Sequence, residues 1–388
     1  MISPSRLYRL KKWYSIYPGI IRPVSADFLA DHYRERKVHR GIPRSLFDAA
    51  VGGAFKLWVP FRAQRVARKF GLDRSWRKSA VRIARERFVD PNDLALFRIT
   101  APEEMTSFMR RFEYAGISKR INPSGWNSDC VLTDKLRFRE RCLQHDLPHP
   151  PLLAAVTGGE VRIVALPEDR TVAAKPLDGE GGRGFRLIDC PDGEQIDEAS
   201  FAALLTLELG REQGSWLVQP KVSNHPAMRD ISLNALATVR MTTMRSETDE
   251  PEIVTSVLRF PSSSASRVDN IKAGGLMAPV DPETGILGSA CMGKGVGEYP
   301  AHPETGAAIG GKQLPFWQEA RALVLRAHSE GFPEYVMVGW DVAITETGPV
   351  LIEGNGKPCI VVAQRATGIG VGETRFGALI AHHLRQAG

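Results

Sequence analysis

The sequence predicts an α+β fold over residues 121–388, preceded by a basic, mainly helical region over residues 1–120. Three observations carry this. Short β-prone runs alternate with helical patterns only beyond residue 120. Before it, apolar residues recur at helical spacing among arginines and lysines. Charge divides at the same place: residues 1–120 hold 26 Lys and Arg against 11 Asp and Glu, a net of +15, and residues 121–388 hold 25 against 33, a net of −8. The length of 388 residues suits two or three domains at about 150 residues each, and a hydrophobic fraction of 43% is enough for a core, which excludes wholesale disorder.

The elements follow in chain order. Over 61–89, Val66, Phe70, Leu72, Trp76, Val81, Ile83, Ala84 and Phe88 recur roughly at helical spacing, with Gly71 and Asp73 placed to split the run in two. Asp90-Pro91 stops that pattern and starts another at Asn92 or Asp93. A loop at 121–125 opens the α+β part. A helix follows over 132–145, capped by Thr133 or Asp134, with Leu136, Phe138 and Leu143 as candidate core contacts. Strands over 171–175 and 185–188 flank a glycine-rich loop; a helix over 200–209 and a short apolar strand over 216–219 come next. Strand character returns over 235–244 and 253–260, joined by a polar loop. The chain closes with strands over 336–345 and 349–353 and a helix from about 373 to 385. The twice-used pattern Asp281-Pro-Glu-Thr-Gly285 and His302-Pro-Glu-Thr-Gly306 reads as two hairpin turns: proline suits a type I turn and glycine its exit.

Several classes fall away. No run of apolar residues approaches the roughly 18 that a membrane-spanning helix needs, and no signal-peptide pattern opens the chain. Five widely spaced cysteines without a CxxC pair fit free thiols in a reducing cytoplasm, not a disulfide framework or structural zinc. No RNA-binding signature interleaves with the basic residues, so nucleic acid is not the expected partner. The histidines 225, 302 and 328 lack ligand spacing and read as loop or helix-surface residues. Trp126, Trp216, Trp317 and Trp340 read as core anchors.

Three constellations can do chemistry. In the first, a strand delivers Lys175 to a loop with Gly179, Gly181, Gly182 and Gly184, where exposed N–H groups can surround phosphate oxygens and the lysine adds a mobile charge. It is neither a Walker loop nor a dinucleotide fingerprint, since no Gly-Lys-Ser/Thr and no helix follows. In the second, two strands flank a turn centred near Thr347. Residues opposite each other then sum to about twice 347, which sets Asp341 across from Glu353 with Cβ atoms ~5 Å apart and Asn355 on the same face. Two carboxylates and an amide oxygen form a hard-oxygen set suited to Mg²⁺, which would also relieve the like-charge contact. In the third, Arg240 and Arg259 each interrupt an apolar strand, which calls for an anionic partner such as a phosphate or carboxylate.

The order Asp134-Lys135, Lys175 before the glycine loop, Leu217-Val-Gln-Pro-Lys-Val222, then Asp341…Glu353-x-Asn355 resembles the ATP-grasp superfamily over about 120–388. Leu236-Ala-Thr-Val-Arg240, Val268-Asp-Asn270…Gly274-Gly275 and His302-Pro-Glu-Thr-Gly306 look like its sugar-transfer-associated, alpha-L-glutamate ligase-like branch. The resemblance implies two α+β subdomains gripping ATP, about 121–215 with the glycine-rich loop and 216–388 with the metal site. It implies that Lys135 and Lys175 contact ATP phosphates under the Gly179–Gly184 loop, and that Gln219, Pro220 and Val222 line the adenine. Relatives often carry an acidic residue in this hinge, where this chain has Pro220. Asp341, Glu353 and Asn355 would hold Mg²⁺, and Arg240 or Arg259 would steady the transferring phosphoryl group or a substrate carboxylate. Asp269 and Asn270, beside Gly274 and Gly275, would shape the acceptor pocket.

The implied activity is an ATP- and Mg²⁺-dependent ligase. A carboxylate would take the γ-phosphoryl group, and an amine would displace phosphate to form a C–N bond, with ADP and phosphate released, in cell-surface polysaccharide or envelope metabolism. The partners would be a small-molecule or glycan-linked carboxylate and an amine acceptor. A kinase-like phosphotransferase and a non-catalytic nucleotide-binding module stay open beside it. The basic N-terminus, where Tyr8, Trp13, Tyr14 and Tyr17 accompany Arg9, Lys11 and Lys12, is compatible with a peripheral contact on the anionic inner face of a membrane, but a solvated helical domain packed on the ligase is the favoured reading.

Overall fold

A computed structural model of the chain describes residues 26–177, 184–191, 196–210, 214–265, 274–293 and 297–387. The helical region comes first: α1 (Ala30–Val38), α2 (Ile42–Phe70), α3 (Arg74–Arg87), α4 (Pro91–Phe97) and α5 (Arg111–Ile121). The split read at Gly71 and Asp73 is real. Gly71 ends α2 at φ 67°, the left-handed conformation in which glycine carries no Cβ penalty. Asp73 caps α3 by accepting from the Trp76 N–H at 2.7 Å. Asp90 caps α4 the same way through the Asn92 N–H. α2 starts well before the run visible in the sequence, because its N-terminal half is rich in alanine and glycine with no polar face to set a period. Phe55, Val59, Ile83, Phe88, Leu94 and Phe97 close a core among α2, α3 and α4.

Two antiparallel sheets follow. The smaller has the order β2 (Glu160–Ile163), β1 (Ala154–Thr157), β5 (Ser215–Pro220), β3 (Thr171–Pro176), β4 (Arg186–Asp189). α7 (Glu198–Leu209) covers one face of it through Phe201, Leu205 and Leu209. α6 (Lys135–Gln144) precedes this sheet. Asp134 caps α6 by accepting from the N–H groups of Leu136 and Arg137. Phe138 is buried as expected, but Leu143 is half exposed, since it points away from the strand that receives Phe138.

The larger sheet has the order β10 (Glu298–Tyr299), β9 (Ala290–Met292), β8 (Leu276–Pro279), β7 (Pro251–Phe260), β6 (Thr238–Arg245), β11 (Met337–Thr345), β12 (Gly348–Asn355). α8 (Trp317–Arg326) and α6 pack on one face, around Met241, Leu258, Trp340 and Val342. α9 (Ile360–Thr367) packs on the other, where Val257, Met277 and Cys291 meet Val362. Both repeated turns form, with Gly285 at φ 77° and Gly306 at φ 73°.

A further core ties the helical region to the larger sheet: Leu29, Tyr33, Met109, Tyr114 and Ile117 pack with Met244, Met337 and Phe376 and Leu379 of α10 (Arg375–Gln386). Fully buried Asn122 locks the same junction. Its amide donates to the carbonyls of Met337 at 2.8 Å and Gly356 at 2.9 Å and accepts from the Val336 N–H at 2.9 Å. His302 lies in a loop as read, but it is buried, and His328 is buried rather than on a helix surface, because backbone carbonyls pair their rings. His302 Nε2 lies 3.0 Å from the Pro261 carbonyl, and His328 sits between the Thr243 hydroxyl at 2.7 Å and the Tyr335 carbonyl at 2.9 Å. All five cysteines are free thiols, and Cys359 alone among them is exposed.

Candidate active site

The hairpin of β11 and β12 places its carboxylates by an irregularity. Thr345 pairs with Gly348 and Val342 with Leu351, so the turn is centred half a residue before Thr347. Continued regularly, that register would set Asp341 against Ile352. A bulge between Asp341 and Val342 shifts the pairing by one residue, and Asp341 faces Glu353 while Gly339 faces Asn355. Leu351 and Glu353 are two apart, yet Leu351 joins the core under α8 while Glu353 lines the opposite, open face. Gly354 follows from this. A Cβ there would stand 2.6 Å from a Leu132 methyl and 3.0 Å from the Phe138 ring, on the core side.

Asp341 is buried between two arginines. On β6, Arg240 is its direct neighbour and grips it with Nε on Oδ1 and Nη2 on Oδ2, the latter at 2.9 Å. On β7, Arg259 reaches Oδ2 at 2.9 Å and donates to the Thr238 hydroxyl at 2.6 Å. The anionic partner that the two strand arginines called for is therefore Asp341 itself. Burial alone would raise the Asp341 carboxyl, but Arg240 and then Arg259 overcome this and hold it well below the usual carboxylate range. Glu353 goes the other way. Burial, then the charge of Asp341 and a hydrogen bond shared with it, push it up to about 7, and Arg240 and Arg259 only partly oppose this. Of the two acids, Glu353 is therefore the one that takes up a proton first as pH falls.

Lys175, at the end of β3, closes the constellation from the smaller sheet. Burial lowers its ammonium pKa and Lys135 adds to that, while Glu353 and Asp341 oppose. Lys135, in the first turn of α6, donates to the Leu177 carbonyl at 2.9 Å. Gln219 on β5 is buried and donates to the Pro150 carbonyl at 2.9 Å, so its side chain braces the strand rather than projecting freely.

One cleft of about 1650 Å³ between the sheets is lined by Lys135, Lys175, Gln219, Pro220, Val222, Arg240, Arg259, Asp341, Glu353 and Asn355 together. Gly184, Gly274 and Gly275 are not on its wall. Gly184 stands at φ 76° against Pro176, and the Gly274 carbonyl accepts from Ser262. Gly179, Gly181, Gly182, Asp269 and Asn270 lie outside the described residues.

Residues that sequence reading missed complete the wall. The helical region contributes Arg62, Lys69, Asp90, Asn92, Asp93 and Arg111. Arg62 pairs with Asp90 at 2.9 Å, and Lys69 donates to the Asn92 amide oxygen at 2.9 Å. Asp93 is pushed up to about 7 by burial and by Asp90, against Arg110 and Arg111. No spacing in the sequence announces these residues, because docking of helices on a distant sheet brings them here. Among the described residues, twelve lysines and arginines line the cleft against five aspartates and glutamates.

The donor set fits a hard divalent cation: two carboxylates and an amide oxygen share one sheet face, and the like-charge contact of Glu353 with Asp341 is only partly offset by the arginines. Among the described residues there is no cluster of three or more His, Cys, Asp or Glu in metal-binding range, so any such site here uses Asn355 and non-protein oxygens to fill the shell.

A family model described as sugar-transfer associated ATP-grasp matches residues 117–376. No curated protein sequence matches the chain. Similar solved structures include D-alanine–D-alanine ligase from Bacillus anthracis complexed with ATP, at 10% identity, 66% of this chain, 67% of that one and a TM-score of 0.37. Another is the RimK domain ATP-grasp protein from Sphaerobacter thermophilus, at 14% identity, 62% of this chain, 68% of that one and a TM-score of 0.29. A third is L-amino acid ligase from Bacillus licheniformis, at 9% identity, 58% of this chain, 40% of that one and a TM-score of 0.32.

Proposed function

The chain belongs to the sugar-transfer-associated ATP-grasp family, and from that premise we propose that it is an ATP- and Mg²⁺-dependent ligase joining a carboxylate to an amine, in cell-surface polysaccharide or envelope metabolism. The observation that carries the reading is the meeting of Asp341, Glu353, Lys175, Arg240 and Arg259 in one cleft. Asp341, Glu353 and Asn355 would hold Mg²⁺, which when bound supplies neutralising charge at the nucleotide phosphates. Lys175 and Lys135 bind and orient the phosphates. Arg240 and Arg259, which pair with Asp341 in the structure, would be the donors nearest the group in transfer if a cation were held by the same carboxylates.

The reaction has two displacements. A substrate carboxylate oxygen bonds to the γ-phosphorus as the bond from that phosphorus to the β-bridging oxygen breaks, and ADP leaves. The amine nitrogen then bonds to the acyl carbon, the acyl carbon–oxygen bond breaks, phosphate leaves, and the proton given up by the nitrogen passes to the departing phosphate. Positioning and charge neutralisation suffice, so no covalent enzyme intermediate is required. The cationic excess on the wall supports an anionic acid substrate. Twelve cations against five anions exceed what an ATP tetra-anion neutralises, and Arg62, Lys69 and Arg111 extend the excess onto the helical wall.

The test is ATP consumption by purified protein against a panel of amino acids, sugar acids and amines, with products identified by mass spectrometry. A condensed product with ADP and phosphate, lost in Asp341→Ala and Glu353→Ala, is the expected result. A product that gains one phosphate and no amine identifies a phosphotransferase instead. Nucleotide binding without turnover across the panel would make the chain a binding module.

A further inference from the structure

We propose that the outward face of α2 is a docking surface for an anionic lipid bilayer. Across the 16 positions from Leu46 to Phe61, every exposed residue of this helix is uncharged: Leu46, Phe47, Leu57 and Phe61, with only alanine and glycine between. Leu46, Leu57 and Phe61 are 68%, 74% and 70% exposed, and Val38 and Ile42 just before them are each 77% exposed. Six of the eleven large apolar residues exposed among the described residues fall within this one stretch. At about 1.5 Å per residue the stripe is ~22 Å long. The opposite face of α2 is spent on the core with α3 and α4, so the stripe is not needed for folding.

Charge identifies the occupant. Residues 30–70 hold ten lysines and arginines against three acids, and one of those acids, Asp48, is buried against Arg40. Exposed cations bracket the stripe: Lys37 and Arg44 at one end, Arg65 and Arg68 at the other. An apolar strip with cations at its ends suits a helix lying in a bilayer interface, with side chains in the acyl boundary and cations on anionic headgroups. A second copy of the chain would set like charge against like, and a nucleic acid would meet a middle whose exposed residues are uncharged, half-buried Lys56 apart. The contact is peripheral: among the described residues no helix is long and apolar enough to cross a membrane. The face lies outside the cleft, so ligase chemistry does not enter the inference.

Flotation of the full chain tests this, with vesicles of phosphatidylcholine alone or with about a third phosphatidylglycerol. The wild type is expected to float with the anionic vesicles, less with the zwitterionic ones, and less again as salt rises. Leu57→Glu and Phe61→Glu, each at an exposed position, are expected to lower the bound-to-free ratio at least about tenfold. Leu207→Glu, which changes an exposed leucine on α7, is expected to float as the wild type does. Absence of flotation with anionic vesicles, or flotation undiminished in both α2 variants, overturns the proposal. So does a concentration-dependent dimer that Leu57→Glu disperses while vesicles remain unbound, because the occupant is then a second copy.

Discussion

Replacing Glu353 by glutamine is expected to stabilise the free protein in a pH-dependent way. Glu353 is half-buried opposite Asp341 on the cleft wall, and its carboxyl is pushed from an ordinary 4.5 up to about 7. For an acid raised on folding, the folded chain holds more protons than the unfolded one between those values. Stability therefore falls as pH rises from about 4.5 to 7, and the whole penalty is present above 7. A displacement of that size corresponds to a ceiling of roughly 3 kcal/mol. Shared titration with Asp341 lowers the effect to the order of 2 kcal/mol. Glutamine keeps the shape, carries no charge and can donate to Asp341. Urea unfolding followed by tryptophan fluorescence, without nucleotide or metal, measures the difference; fully buried Trp340 lies one residue from the site. At about pH 8 the variant should be the more stable by on the order of 2 kcal/mol, and at about pH 5 most of that gain should vanish. A variant no more stable at the higher pH, or equally stabilised at both, would mean that the Glu353 carboxyl is not raised on folding.

Other outcomes follow from the same geometry. Asn122→Ala removes three buried hydrogen bonds and should cost ~2–4 kcal/mol in denaturant unfolding. Gly125→Ala should be comparably damaging, since a Cβ would stand 2.3 Å from the Gly356 carbonyl oxygen; backbone beside Asn355 would have to move, so nucleotide affinity should fall with stability. Lys175→Met should keep the fold while weakening ATP binding by at least about tenfold in equilibrium titration, because the buried ammonium faces Glu353 and Asp341 in the cleft.

The sequence exposed this site unevenly, for physical reasons. Strand arginines, a lysine before glycines and two acids flanking a turn are local features, and they were visible as such. The pairing of Asp341 with Glu353 came from placing the turn at Thr347. In the structure that turn sits half a residue earlier, and the bulge after Asp341 makes up the difference. A regular hairpin would have put Glu353 on the face of Leu351, and nothing in the residue pattern signals the bulge. The burial of loop residue His302 and helix residue His328 was not legible, because a carbonyl partner 41 residues away, or a hydroxyl 85 away, leaves no trace in spacing. Arg62, Asp93 and Arg111 were invisible as cleft residues for the same reason: helix docking, not periodicity, delivers them. The bare stretch of α2 was missed because alanine and glycine mask a helix with no polar outer face.

The β11–β12 acids are expected to form a metal-dependent nucleotide site. Calorimetric titration of a non-hydrolysable ATP analogue, with and without Mg²⁺, tests it most directly in the wild type and in Glu353→Ala. Mg²⁺ should tighten binding to the wild type by at least about tenfold and leave Glu353→Ala nearly unchanged. The same Mg²⁺ dependence in both proteins would contradict the account.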